Sequence, residues 1–196
     1  MTAPAGTLLG FDAHYVFGVF CAIFWGCEWL LAPRLTARSQ DRIEDQGSYR
    51  WFAIGFPLAW IGAFALLNVP GMAFGTIATF RVGLLLMLAG QLLRWWSIAT
   101  LGRFFTINVA IRAGHRLVES GPYRYVRHPS YSAILLFHIG AGLCFGNALS
   151  FLALLVPVVA AIGNRVRIEE KVLCAALGPT YREYMARTRR LIPGLY

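Results

Sequence analysis

Apolar residues gather along the chain into five blocks, each bounded by charged or turn-forming positions. The first runs from about His14 to Leu31, is interrupted by Glu28 and is closed by Pro33. The second covers Trp51 to Val69 and ends at Asn68-Val69-Pro70-Gly71, a helix stop followed by a turn. The third runs from Ile77 to Trp96, with Arg81 near its start and Arg94 near its end. Blocks 131–146 and 149–163 follow, parted only by Asn147 and Ala148, which is the spacing of a tight helical hairpin. Pro157 inside the last block is tolerated in a bundle whose neighbours satisfy the freed carbonyl. Blocks of this kind approach or reach the ~20 residues that cross a bilayer. The pattern predicts an all-α integral membrane protein with about five transmembrane helices.

Composition sharpens this picture. Of 196 residues, 58% are apolar and 14% charged, against about 25% charged in a typical soluble domain. Sixteen of the eighteen Lys and Arg residues fall in alternate connections, 32–50, 97–130 and 164–196, and the other two are Arg81 and Arg94. With an odd number of spans, those three segments share one face. The positive-inside rule makes it cytoplasmic, with the N-terminus outside. The net charge of +9 is then a topology signal and an attraction to anionic membrane lipids. No nucleic-acid module accompanies the basic residues, so nucleic-acid binding is not expected. The N-terminal stretch lacks a basic n-region, so a cleaved signal peptide is not expected either. Cys21, Cys27, Cys144 and Cys174 form no metal-binding spacing and read as buried free thiols, and no metal site is expected. His14 and His138 read as hydrogen-bonded interior residues, and Glu28 as a residue that snorkels or pairs with Arg34 or Arg94.

Two polar segments carry chemistry. Segment 97–130 mixes Gly and Arg with six aromatic residues, which is unusual for a plain connector. In Arg127-His128-Pro129-Ser130-Tyr131, Pro129 begins the fourth span and His128 is held extended before it. A helix N-terminus there offers free N–H groups to a carboxylate or phosphate. The same residues also suit an interfacial Arg/Tyr belt anchored to headgroups, and composition alone leaves both readings open. In the last segment a helix is predicted over about Asn164–Leu177, stopped by Gly178-Pro179, with a short helix from Tyr181 to about Thr188. It sets Arg165 and Glu169 at i and i+4, either as a surface pair or as one wall of a site.

His115-x-Leu117-Val118-x-x-Gly121-x-Tyr123 and Arg127-His128-Pro129-Ser130-Tyr131 precede about 30 apolar residues. Arg165-x-x-x-Glu169-Glu170 and Gly178-x-x-Tyr181-x-x-Tyr184 follow. Linked in this way, the motifs resemble the isoprenylcysteine carboxyl methyltransferase family across roughly residues 97–193, in a short five-span form of prokaryotic type. The resemblance implies transfer of a methyl group from S-adenosyl-L-methionine, with the catalytic region facing the cytoplasm. The acceptor would be a lipophilic small molecule or prenylated species entering from the bilayer.

By position, His115, Leu117, Val118, Tyr123, Arg127, His128, Pro129, Ser130, Tyr131 and Glu169 should line the cofactor pocket. Asn108 and Glu170 are added with them, Glu170 either supporting Arg165 or stabilising its helix. Arg165 falls where the family has an acceptor-facing arginine, and with Glu169 it is the expected catalytic pair. The chain then divides into an N-terminal three-helix region, 1–96, and a catalytic region, 97–196, that holds the hairpin 131–163 and the cytosolic tail. An NADPH-dependent sterol-reductase-like enzyme, a phospholipid N- or thiol S-methyltransferase, and a non-catalytic membrane scaffold are the alternatives.

Overall fold

The computed structural model describes residues 7–8, 11–36, 42–43, 45 and 47–192, with the backbone alone for 7–8, 11–14, 42 and 43. Six helices carry the fold: α1 (Ala13–Leu35), α2 (Ser48–Ala65), α3 (Ile77–Leu101), α4 (Pro129–Phe145), α5 (Ala148–Leu177) and α6 (Pro179–Arg187). Two short antiparallel ladders complete it. In one, β1 (Thr7–Leu8) pairs with β2 (Phe11–Asp12); in the other, β3 (Arg42–Ile43) pairs with β4 (Ala110–Ile111).

Among the described residues α1, α3 and α5 are long and apolar enough to cross a membrane. α4, with 17 residues, extends roughly 25 Å at 1.5 Å per residue, slightly less than a hydrocarbon core of about 30 Å. α5 differs from expectation. The fifth apolar block and the helix over 164–177 are one continuous 30-residue helix. At roughly 45 Å it outruns the bilayer by about 15 Å, so Arg165 and Glu169 ride on its emerging end. Pro33 does not close the first span either. The chain keeps helical geometry to Leu35, and Thr36 N–H still bonds Ala32 O at 3.0 Å.

The tightest packing joins α3 to α4 across glycines. A Cβ on Gly140 would lie 2.5 Å from Gly83 O and 2.8 Å from Met87 N, and one on Gly90 would meet Ala133 O at 2.8 Å. Small residues allow this backbone approach, which lipid alone does not drive. Phe24, Trp60, Met87, Phe137 and Leu154 form one core cluster, and Phe56, Ile134, Val158, Ile162 and Val166 form a second. α2 packs along α5, so helices from before and after residue 96 interleave.

The α4–α5 hairpin turns at Gly146, whose φ is +62°, and Asn147 caps α5 by accepting from Leu149 N–H and Ser150 N–H. The Asn147 amide also donates to Leu67 O and Val69 O, tying the hairpin to the α2–α3 turn. Outward faces are apolar, as lipid contact requires. α1 is the extreme case, with Trp29 76% and Leu30 66% exposed.

His138 is interior and hydrogen-bonded, its Nδ1 2.7 Å from Ile134 O and its Nε2 accepting from Trp60 Nε1 at 3.3 Å. The side chain of His14 lies outside the described residues. The four cysteines are free but half-buried, not enclosed as expected. Glu28 pairs with Arg94, which binds it through Nε and Nη2 at 2.8 Å each.

Candidate active site

Segment 102–128 folds back over the end of the bundle where α5 emerges. Its β4 pairs with β3, and Ile107 N–H bonds Leu35 O at 2.8 Å, so the connection lies against the α1–α2 link. A single turn of 3-10 helix, Gly121–Arg124, then directs the chain into α4. Between this cover and the helices lies a cavity of about 300 Å³, at the lower end of the range for small-molecule sites.

Its lining has two characters. His115, Tyr123, His128, Tyr131, Glu169 and Tyr181 supply polar groups, while Phe24, Trp25, Phe52, Phe56 and Ile134 supply apolar surface from α1, α2 and α4. Arg94 and Arg165 also face it.

The sequence motifs converge here. His115, Leu117, Val118, Tyr123, Arg127, His128, Ser130, Tyr131, Arg165 and Glu169 all line this cavity. Asn108, Pro129 and Glu170 are not among the lining residues. Asn108 is half-buried between the lining residues Ile107 and Val109, and Pro129 is enclosed as the first residue of α4. Glu170 sits behind the wall. It accepts from Arg127 Nε at 2.9 Å and Arg190 Nε at 3.0 Å, and lies 3.4 Å from His128 Nε2. It therefore supports Arg127 and His128, not Arg165.

Arg127 N–H and His128 N–H bond the carbonyls of Arg189 and Arg190, so the segment after α6 is strapped to the wall. The N-terminus of α4 is less open than expected: Tyr131 N–H and Ser132 N–H both turn back to His128 O, at 3.0 and 3.1 Å.

Arg165 and Glu169 form no direct ion pair among the described residues, and the Tyr131 hydroxyl stands between them. It accepts from Arg165 Nε at 2.8 Å and faces the Glu169 carboxylate. His128 Nδ1 is 3.8 Å from Glu169 Oε2. Three buried polar atoms of the lining have no partner: Glu169 Oε2, His115 Nδ1 and the Tyr181 hydroxyl. Unpaired polar atoms are costly to bury, so their convergence on one cavity marks a place for a polar ligand.

Burial lowers the His115 pKa against the opposing pull of Glu169, which leaves the ring neutral near pH 7. Burial also raises the Tyr123 and Tyr181 phenols, which stay protonated.

Two constellations went unread in the sequence. Asp45, Ser48 and the carbonyl of Ile107 surround Arg165, and Glu28 and Ser130 surround Arg94. Asp45-x-x-Ser48 before an aromatic-apolar run is a helix-start signal. It points to capping of α2 but not to the distant arginine.

The family model for isoprenylcysteine carboxyl methyltransferases matches residues 82–175. Protein-S-isoprenylcysteine O-methyltransferase B of Arabidopsis thaliana is 36% identical over 181 residues, which span 89% of this chain and 91% of the relative. Protein-S-isoprenylcysteine O-methyltransferase of Dictyostelium discoideum is 26% identical over 195 residues, covering 97% and 80%. A solved structure of the eukaryotic intramembrane Ras methyltransferase shares the fold. Its TM-score is 0.68 at 22% identity, over 93% of this chain and 68% of that one. The chain belongs to the isoprenylcysteine carboxyl methyltransferase family and is an integral-membrane methyltransferase.

Proposed function

We propose that the protein methylates the carboxylate of a lipophilic acceptor, with S-adenosylmethionine as methyl donor and a prenylated cysteine as the model acceptor. One observation carries the reading. A single cavity joins a polar wall with unpartnered Glu169, His115 and Tyr181 atoms to an apolar wall built by α1 and α2.

The donor set fits the cofactor. The Glu169 carboxylate suits hydroxyl or ammonium donors, the neutral His115 ring and the Tyr181 hydroxyl offer further hydrogen bonds, and Tyr123 and Tyr131 present ring faces to a cation. When bound, S-adenosylmethionine supplies an electrophilic methyl carbon, which a carboxylate oxygen takes to form an ester and leave a neutral thioether.

The protein's own part is placement. A carboxylate acceptor is ionised at pH 7 and needs no general base, so Arg165 has only to orient it. Tyr131 links that arginine to the Glu169 side, which fixes the two halves of the site relative to one another. Alignment of this kind supplies most of the rate enhancement such a displacement needs. The apolar wall excludes water and receives the lipid portion of the acceptor, which enters from the bilayer beside α1. The basic segments 32–50, 97–130 and 164–196 place the site on the cytoplasmic face. The relatives are methyltransferases, and no feature of the cavity favours the reductase alternative.

Calorimetric titration of S-adenosylmethionine, with NADPH in parallel, into the detergent-solubilised protein tests the reading. Saturable S-adenosylmethionine binding that weakens at least about tenfold in Glu169→Ala is expected, from loss of a charge-assisted contact. Binding of NADPH alone would replace this reading with the reductase one.

A further inference from the structure

Arg165 is almost fully committed before any acceptor arrives. Its guanidinium is 3% exposed and carries the usual five N–H donors. Nε donates to the Tyr131 hydroxyl at 2.8 Å. Nη1 donates to Asp45 Oδ1 at 2.9 Å and to Ser48 Oγ at 3.1 Å. Nη2 donates to Ile107 O. One Nη2 hydrogen remains without a partner among the described residues. The Phe52 ring packs 5.4 Å from the guanidinium carbon and closes one face.

Asp45 organises this arrangement from the α1–α2 connection. Besides Arg165, its carboxylate accepts from Ser48 Oγ at 3.0 Å, Tyr49 N–H at 2.8 Å and Val109 N–H at 3.2 Å. It therefore joins the first turn of α2, the cover segment 102–128 and α5 at one point. Burial opposes its ionisation, but these two N–H groups, Arg165 and the Ser48 hydroxyl outweigh that, and the carboxyl stays below its ordinary range.

We propose that Asp45 is a positioning residue that fixes Arg165 in the cavity and leaves it a single free N–H. The acceptor carboxylate is then held through one oxygen, and the other stays uncommitted. This rests on the methyltransferase reading. An arginine with both edges open would instead clamp a carboxylate through two parallel hydrogen bonds, engaging both oxygens in the ground state. Saturating the guanidinium with Asp45, Ser48 and Ile107 O prevents that clamp and keeps the arginine rigid.

The probe is N-acetyl-S-farnesylcysteine, compared with its methyl ester, on the full chain. Titrations without S-adenosylmethionine give the carboxylate-over-ester preference, and steady-state kinetics give kcat and KM. In Asp45→Asn, kcat and the carboxylate preference should each fall about 10- to 100-fold, the size of a lost charge-assisted contact. S-adenosylmethionine affinity should be unchanged. Arg165→Lys should behave alike, and the double variant should be no worse than the weaker single, because the two residues act as one unit.

Ser48→Ala keeps Asp45 and frees one more donor. It should tighten carboxylate binding a few-fold while kcat falls. Asp45→Asn that lowers thermal stability but leaves the carboxylate preference intact would overturn the proposal, as would additive losses in the double variant or no tightening in Ser48→Ala. A wild-type protein that binds S-adenosylmethionine but does not tell carboxylate from ester would instead overturn the acceptor reading beneath it.

Discussion

The α3–α4 contact makes a quantitative prediction that needs no ligand. Gly140→Ala adds a methyl group 2.5 Å from Gly83 O, 2.8 Å from Met87 N and 2.9 Å from Met87 Cγ. Met87 Cγ can swing aside, but the other two atoms are backbone of the opposing helix and move only if α3 and α4 part. Forcing extra volume into such a contact costs about 1–3 kcal/mol. At about 2–4 °C per kcal/mol for a chain of this size, Tm should fall by about 2–12 °C.

The consequences reach the site, because α3 carries Arg94 and α4 begins with the residues that carry Ser130 and Tyr131. Arg94 bonds Ser130 Oγ across this interface, and separation loosens it. Gly163→Ala is the matched control: nothing lies within 4 Å of its Cβ position and it sits inside α5. That change should be neutral or stabilising by up to about 1 kcal/mol, through helix propensity. Thermal unfolding followed by tryptophan fluorescence in one detergent measures both. Equal Tm values for Gly140→Ala and Gly163→Ala would refute the claim that backbone approach at Gly140 holds α3 and α4 together.

Other perturbations have defined outcomes. Glu170→Ala leaves Arg127 buried beside no carboxylate and should cost about 3–5 kcal/mol, with the segment after α6 becoming sensitive to limited proteolysis. Arg187→Ala breaks an exposed pair with Glu119 and should change stability by less than about 1 kcal/mol in a thermal melt. Because the folded Asp45 carboxyl lies below its ordinary range, its contribution is complete above the ordinary carboxylate pKa and fades as pH falls through the folded value. Acid melts of wild type should therefore lose stability there, and Asp45→Asn should show a flatter acid limb.

What the sequence disclosed and what it hid follow from the range of the interactions. Blocks of apolar residues reveal spans because burial in lipid is a local, additive property. The Gly146-Asn147 turn was visible because a left-handed glycine and an amide cap act within a few residues. The cavity lining from His115 to Tyr131 was recognisable as linked motifs, whereas composition alone left an interfacial belt equally open.

The continuity of α5 was harder to read. Gly163 and Asn164 look like a break in sequence, yet a helix already six turns long extends through them at modest cost. The free amides expected at the start of α4 were consumed by His128 O, a matter of local dihedral angles that residue types do not specify. Glu170 was credited with Arg165, one turn away on its own helix, but it reaches Arg127 and Arg190 instead. Asp45 and Arg165 lie 120 positions apart, and a single sequence carries no trace of such a pairing.

The most direct measurement follows labelled methyl from S-adenosylmethionine to N-acetyl-S-farnesylcysteine in the purified protein, with alkaline hydrolysis of the product. The expected result is label that alkali releases as methanol, the signature of a carboxyl ester, and its loss in Glu169→Ala and Arg165→Ala variants that still fold. Alkali-stable label would mean methylation at nitrogen or sulfur, and no transfer by protein that binds S-adenosylmethionine would contradict the carboxylate assignment altogether.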